Sequence, residues 1–100
     1  LSLIFISVSL TAGTTGKISG RVIDKQTNEP LPFVNVVVVG TGLGAVTDEE
    51  GYYVILNVPP GTYNLEARMI GYHTQTVQDV DAFVDQTMVI NFQLTPAVIK

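Results

Sequence analysis

The chain has 100 residues, of which 46% are hydrophobic and 14% charged, and its formal net charge is −4. This length fits one domain, and the abundance of Val, Ile, Thr and Tyr favours β-strands. The absence of cysteine excludes disulfides, thiolate zinc sites and cysteine nucleophiles. Nucleic-acid binding needs clustered cations. No nucleic-acid partner is expected here, because the five cations are scattered along the chain: Lys17, Arg21, Lys25, Arg68 and Lys100.

The two ends of the chain are predicted to lie outside the domain. Residues 1–16 are predicted to be a truncated signal peptide and short linker, because an apolar run followed by small residues is typical of a secretory h-region and cleavage zone. The run is shorter than the about 20 residues that a transmembrane helix needs. An ordinary strand is the alternative. The domain itself is predicted to span 17–94, and residues 95–100 to begin a linker to a further region.

The first half of the domain predicts three strands. Lys17–Asp24 shows alternating apolar side chains, and a polar turn follows in which Asn28 suits a positive φ. Phe33–Val39 has apolar residues on both faces, which is typical of a central or doubly covered strand. After a glycine-rich loop at 40–44, Ala45–Thr47 is predicted to be a brief edge strand.

Two turns organise the middle of the chain. The side chain of Asp48 is expected to accept amide hydrogens two or three residues further on, and Gly51 to relieve the backbone at the fourth turn position. The strand Tyr52–Val58 follows. Pro60 and Gly61 then predict a type II turn, with glycine in its left-handed position.

Three further strands complete the prediction, with a break at Gly71 and Tyr72 and a turn at 79–85. These strands are Thr62–Ile70, Tyr72–Val80 and Gln86–Leu94. The fold class is therefore all-β, an antiparallel Greek-key β-sandwich of about seven strands. Parallel pairing is not expected, because no segment predicts a crossover helix.

Few residues suggest chemistry. His73 is the only histidine, so a catalytic triad or zinc site would have to be built around it without a second His or Cys. An inert surface histidine is expected. The acidic residues around Asp48 and at 79–85 are predicted to be turn carboxylates, with a calcium site as the alternative. No metal or other cofactor is expected.

The tyrosines are assigned to structure and not to a sugar-binding platform. Tyr53 and Tyr63 occupy inward positions, and the Tyr63 hydroxyl is expected to bond a backbone carbonyl beside the Pro60–Gly61 turn. No catalytic residue is predicted. The predicted turn and core motif consists of Asp48, Gly51, Tyr53, Pro60, Gly61, Tyr63, Gly71 and Tyr72.

Several of these motifs occur in one order that resembles the carboxypeptidase regulatory-like domain, a transthyretin-like (prealbumin-type) β-sandwich. The resemblance covers about residues 17–94. One departure is Phe33, where the family more often carries Gly. The matching segments are Ile18–Asp24, Glu29–Val36, Thr47–Tyr53, Pro60–Tyr63 and Gly71–Tyr72.

The resemblance implies a non-catalytic accessory or interaction module of an exported envelope protein. Similar modules often lie behind a signal peptide and before the plug and barrel of TonB-dependent outer-membrane receptors, including SusC-like transporters. This implies a periplasmic location, a protein partner or downstream domain, and association with the outer membrane through that downstream region. The edge Ala45–Thr47 and the 40–44 loop are the expected contact points.

Two alternatives remain open. One is an accessory domain of a secreted peptidase or glycoside hydrolase, and the other is a carbohydrate-binding module. Hydroxyisourate hydrolases share the fold, with several histidines and a C-terminal Tyr-Arg-Gly-Ser signature. This chain has neither feature, so that activity is not expected.

Overall fold

The structure, a computed structural model, describes residues 14–97. Most of the predicted signal peptide and the last three residues of the predicted linker lie outside this range. The described residues contain eight strands: β1 (Gly16–Asp24), β2 (Asn35–Val38), β3 (Gly44–Val46), β4 (Tyr52–Val58), β5 (Gly61–Arg68), β6 (Gln75–Ala82), β7 (Thr87–Val89) and β8 (Phe92–Leu94).

The strands form a sandwich of two sheets. The first sheet, sheet 1, has the order β4-β1-β7, and β8 also pairs with β1. Sheet 2 has the order β3-β2-β5-β6, with antiparallel pairing throughout. The expectation of a β-sandwich is confirmed, and β2 is an interior strand of its sheet, as its apolar sequence predicted.

The core lies between the sheets and is filled by the inward residues of each alternating strand. Burying such a side chain contributes about 1.5–3 kcal/mol, so this alternation supplies the main stabilising term. The inward positions predicted for β1, β2 and β4 are confirmed. The largest fully buried side chains are Phe92, Ile18, Ile55, Leu65, Leu94, Val22, Val34, Val36, Val38 and Val58.

The prediction that all strands pair antiparallel was wrong. β1 pairs in parallel with β7 and with β8. A parallel pair needs a long crossover connection, which is usually helical. Here the chain between Asp24 and Thr87 passes through the strands of sheet 2 as well as β4, and this excursion returns it in the same direction as β1.

The predicted last strand, Gln86–Leu94, is interrupted, and this gives eight strands instead of seven. The backbone amide of Ile90 donates to the carbonyl of Ser19 at 2.8 Å. At the next step the amide of Arg21 donates to the side-chain Oδ1 of Asn91 at 2.9 Å. A side chain thus replaces the backbone acceptor, and the ladder resumes at Phe92.

The sequence predicted that a strand begins at Phe33, and this was wrong. The φ of Phe33 is 62°, a left-handed conformation that non-glycine residues adopt rarely, and its side chain is 70% exposed. The strand starts two residues later, at Asn35. Glycine adopts this conformation without steric cost, so the backbone geometry suits the glycine that the resemblance implies at this position.

The type II turn predicted at Pro60–Gly61 was also wrong. The φ of Gly61 is 159°, far from the value of about +80° that this turn needs, and Gly61 is already the first residue of β5. A turn with glycine at the left-handed third position occurs instead at Met69–Tyr72. There Gly71 has a φ of 89°, and the Tyr72 amide donates to the Met69 carbonyl at 3.1 Å.

Strand β6 is placed later in the chain than predicted, at Gln75–Ala82. Residues 79–82 were predicted to lie in a turn, but they continue the strand through a β-bulge. Asp79 has a φ of 58°, and the pairing of β5 with β6 shifts register beside it. The Asp79 amide donates to Oδ1 of Asn64 at 3.1 Å, which holds the bulge in place.

Candidate interaction surface

The residues considered for catalysis or metal binding do not form a chemical site. His73 is exposed, as predicted, and its backbone amide donates to the Thr95 carbonyl at 2.9 Å. Asp81 lies on β6 and accepts a hydrogen bond from the Thr62 hydroxyl. Within residues 14–97, no three His, Cys, Asp or Glu side chains are grouped closely enough to hold a metal ion.

The Asp48 turn has a structural role. Oδ1 of Asp48 accepts the amides of Glu50 and Tyr52, both at 2.9 Å. Gly51 is buried with a φ of 81°, and a β-carbon there would lie 2.5 Å from the carbonyl oxygen of Val22. The turn therefore requires glycine, and it fixes the position at which β4 begins.

Three of the four tyrosines are held by hydrogen bonds within the domain. The Tyr53 hydroxyl donates to the Ile90 carbonyl at 2.5 Å, and burial raises the pKa of this phenol. The Tyr63 hydroxyl donates to the Pro59 carbonyl at 2.7 Å, the kind of backbone partner predicted for it. The Tyr72 hydroxyl donates to Oδ2 of Asp24 at 2.8 Å.

Tyr52 differs, because its side chain lies on the outer face of sheet 1 and is half exposed. The guanidinium carbon of Arg21 lies 5.0 Å from the centre of the Tyr52 ring, within cation–π range. Nε of Arg21 also donates to the Glu50 carbonyl at 2.9 Å. These two contacts orient both side chains on the outer face.

The outer face of sheet 1 combines apolar side chains with positive charge. Leu56 and Val89 are 58% and 63% exposed, although both are large aliphatic residues. Val54 lies opposite Ser19, which is in turn paired with Val89 on its other side. The outward residues of the four strands include two cations and no carboxylate: Lys17, Ser19, Arg21, Ile23, Tyr52, Val54, Leu56, Thr87, Val89 and Gln93.

Within residues 14–97, β4 is an edge strand, because its only strand partner there is β1. The amide of Val22 donates to the Gly51 carbonyl, so alternate β4 residues, including Tyr53 and Ile55, direct their backbone groups toward β1. The backbone groups of Val54 therefore point to the open side. Those of Tyr52 point there as well, but Asp48 already binds both of them.

The β4 edge lacks most features that protect edge strands. Proteins usually shield such edges with charges, proline, short length or bulges. β4 has seven residues and none is charged; its one such device is a register shift at its far end, where Asn57 has a φ of 59°. By contrast, β3 has only three residues, and β6 carries Asp79, Asp81 and a bulge.

Sequence reasoning missed three residues that organise this region. Arg21 was treated only as a scattered cation and Asn91 was not singled out. Thr47 was assigned to a strand, but its buried hydroxyl donates to the Leu31 carbonyl at 2.6 Å and accepts the Val34 amide at 2.9 Å. The only sequence signal for Thr47 is a small polar residue beside an acidic turn.

The two-sheet fold is that of a transthyretin-like β-sandwich, and β4 forms an open edge among the described residues. The family model of the carboxypeptidase regulatory-like domain matches residues 17–95. The chain belongs to this family. Among curated proteins, no sequence matches it.

Solved structures support the fold. One chain of a type II cohesin–X–dockerin complex from Acetivibrio cellulolyticus, a C-terminal interface mutant, is 28% identical with a TM-score of 0.65; the match covers 77% of this chain and 52% of that one. A protein from Bacteroides uniformis named as a candidate carbohydrate-binding protein is 22% identical, with a TM-score of 0.60, and the match covers 80% and 41% of the two chains. The present chain thus spans about half or less of these proteins.

An enzyme also shares the fold. The 5-hydroxyisourate hydrolase of Klebsiella pneumoniae is 21% identical with a TM-score of 0.57, and the match covers 81% of this chain and 85% of that one. At this identity the likeness concerns the fold alone. In the described residues, no helix has the length and apolar character needed to cross a membrane.

Proposed function

We propose that this domain is a non-catalytic interaction module that binds a partner protein by adding an extended strand to the open edge of β4. The observation that carries the proposal is the uncharged edge strand beside an exposed apolar face. Strand addition at an open edge is a common mode of peptide recognition. The cohesin–X–dockerin neighbour is a protein–protein complex, which supports this class of function.

The charge of the face indicates the partner's chemistry. Lys17 and Arg21 flank the apolar side chains, and no carboxylate lies among the outward residues of sheet 1. A strand that carries acidic side chains on its outward face would complement the two cations. Attraction between exposed charges is screened by salt, so the binding should weaken as ionic strength rises.

A titration of the isotope-labelled chain with two synthetic peptides tests the surface. One peptide alternates valine with glutamate and the other alternates valine with lysine. The acidic peptide should shift the amide resonances of Tyr52–Leu56 and slow hydrogen exchange of the Val54 amide, and the basic peptide should do neither. Equal effects of both peptides, or shifts confined to β3, would contradict the proposal.

A matched pair of variants separates the two sheet edges. Val54 and Val46 are exposed to similar extents, 50% and 54%, but lie on β4 and β3. Val54→Glu should abolish binding of the acidic peptide, because it removes an apolar contact and repels the carboxylates of the peptide, whereas Val46→Glu should leave the binding unchanged. The reverse result would assign binding to the β3 edge. A concentration-dependent dimer that Val54→Glu dissociates would show that the occupant of the edge is a second copy of this chain.

We further propose that the module belongs to an exported envelope protein, and specifically to the N-terminal region of a TonB-dependent outer-membrane receptor. The family membership and the sequence at the start of the chain support this setting. Deleting residues 17–94 from the parent protein should impair transport or complex assembly while the barrel still folds. Unchanged transport and assembly would contradict the receptor setting.

Two other settings make different predictions. If the module is an accessory domain of a secreted peptidase or glycoside hydrolase, its deletion should lower the stability of the neighbouring catalytic domain. A carbohydrate-binding module would show resonance shifts around Tyr52 with members of a glycan panel. The arrangement of Tyr52 favours this less, because Arg21 already occupies one face of its ring.

A further inference from the structure

The first and last strands of the domain are parallel neighbours. Residues Lys17–Ser19 pair with Thr87–Val89, and Val22–Asp24 pair with Phe92–Leu94. We call these paired segments the terminal ladder. The chain therefore enters β1 at one end of the ladder and leaves β8 at the other, about 26 Å away at about 3.3 Å per residue.

The terminal ladder is continuous across the break between β7 and β8. The Ile90 amide bonds to Ser19, and Oδ1 of Asn91 accepts the Arg21 amide. At the ends of the ladder, the Lys17 amide donates to the Gln86 carbonyl at 3.0 Å and the Lys25 amide to the Leu94 carbonyl at 2.9 Å. Hydrogen bonds thus connect β1 to the last strands along its whole length, and all of those named here except the one to Asn91 join backbone groups.

The segment that leaves the ladder is also fastened to the domain. Pro96 forms a bridge with Tyr72, and the Ala97 amide donates to the Gly71 carbonyl at 2.8 Å. The predicted linker therefore packs against the sandwich over its first three residues. Tyr72 in turn bonds to Asp24 at the end of β1, so this fastening and the ladder share one anchor.

Tension applied through the two ends of such a domain acts along the terminal ladder. Because β1 is pulled toward its start and β8 toward its end, the hydrogen bonds are loaded together in shear. A pair of strands pulled apart at one end would instead lose its bonds one after another. Resistance to force is governed by the rate of unfolding, and simultaneous loading raises the barrier to that step.

We propose that the terminal ladder makes this domain force-bearing, so that it stays folded under tension applied between Gly16 and Leu94. This role is independent of any partner at the β4 edge. It is a property of strand direction, and the described residues supply both loaded strands.

Single-molecule force measurements test this role directly, because the chain has no cysteine and two introduced thiols define the pulling direction. Thr14→Cys with Ala97→Cys loads the ladder in shear. Thr14→Cys with Gln86→Cys places both handles at the same end, so the strands separate rung by rung. At equal loading rates, the shear pair should unfold at a force several times higher. Equal forces would overturn the proposal.

A substitution within the ladder provides a second test. Asn91→Ala removes the side-chain acceptor that bridges β7 and β8, and Gln93→Ala truncates an exposed neighbour on the outer face as a matched control. Asn91→Ala should lower the shear force and leave the first unzipping event unchanged, since the rungs at 17–19 open before Asn91 is reached. Gln93→Ala should change neither force. An unchanged shear force in Asn91→Ala, or an equal loss in both directions, would contradict a force-bearing ladder.

Discussion

The Tyr72 hydroxyl lies 2.8 Å from Oδ2 of Asp24 and so joins the end of β1 to the turn that follows β5. The other carboxylate oxygen, Oδ1, accepts the amides of Gln26 and Thr27 at 2.7 and 3.1 Å. The Tyr72 hydrogen bond is the main cause that lowers the pKa of Asp24, with the two amides assisting. The same bond raises the pKa of Tyr72, because the carboxylate favours the protonated phenol.

Tyr72→Phe should therefore destabilise the domain in a pH-dependent way. Asp24 has a lowered folded pKa, so its contribution to stability is fully present above its usual pKa of 3.8 and is lost as the pH falls through the folded value. The difference in free energy of unfolding between wild type and Tyr72→Phe should be largest at neutral pH and should shrink as the pH falls below 3.8. Urea denaturation across this range measures it.

Tyr72 adds the opposite trend at high pH. Its raised pKa stabilises the fold below its usual pKa of 10.0, and this contribution disappears as the pH rises through the folded value. Tyr52→Phe is the control, because its hydroxyl forms no side-chain hydrogen bond within residues 14–97. A pH-independent difference in Tyr72→Phe would contradict the coupling to Asp24.

Thr47→Val should destabilise the domain by about 1–3 kcal/mol, the usual cost of leaving buried polar groups unpaired. The change keeps the shape of the side chain but removes the partner of the Leu31 carbonyl and of the Val34 amide. Thr62→Val is the matched control, since its hydroxyl bonds to exposed Asp81, and its effect should stay within about 0.5 kcal/mol. Equal urea midpoints for the two variants would refute this role of Thr47.

Gly20→Ala should destabilise the domain by about 3 kcal/mol, at the upper end of the usual range for overpacking. An added methyl group would overlap the carbonyl oxygen of Ile90, which lies directly against Gly20. Gly42 is a suitable comparison, because nothing lies within 4 Å of a β-carbon built there. The melting temperature should fall strongly for Gly20→Ala and hardly at all for Gly42→Ala. Similarly small decreases in both variants would show that Gly20 and the Ile90 carbonyl are not tightly packed.

Phe33→Gly should stabilise the domain by about 0.5–1 kcal/mol, because glycine avoids the cost of a left-handed backbone, partly offset by its greater freedom when unfolded. The φ of 62° is unfavourable for any side chain with a β-carbon. Phe33→Ala removes the same exposed ring but retains that cost, so it should bring no comparable gain. If both variants gain equally in denaturant midpoint, the exposed ring and not the backbone is responsible.

The sequence predicted those elements whose signals are local. The alternation of apolar side chains predicted the ends of β1, β4 and β5 to within one or two residues. Asn28 has the positive φ expected of its turn. The Tyr63 hydroxyl found its predicted kind of partner. Each of these features depends on residues close together in the chain, where side-chain period and turn chemistry are decisive.

Most of the errors concern relations between distant residues, although the wrong turn at Pro60–Gly61 and the wrong strand start at Phe33 are local. The direction of the strands beside β1 depends on where the chain returns after residues 25–86, and periodicity carries no information on that path. The bulges at Asn57 and Asp79 leave the alternation almost unchanged while they alter the register. The β4 edge was not predicted for the same reason, since a strand becomes an edge only through the absence of a second neighbour.

The pairing of β1 with β7 and β8 also fixes when the domain is able to form. During synthesis, residues 16–24 leave the ribosome long before residues 87–94, and a nascent chain that ends before Thr87 has no partner for one side of β1. Contacts this distant in sequence slow folding. Sheet 1 therefore stays incomplete until residues 87–94 are available.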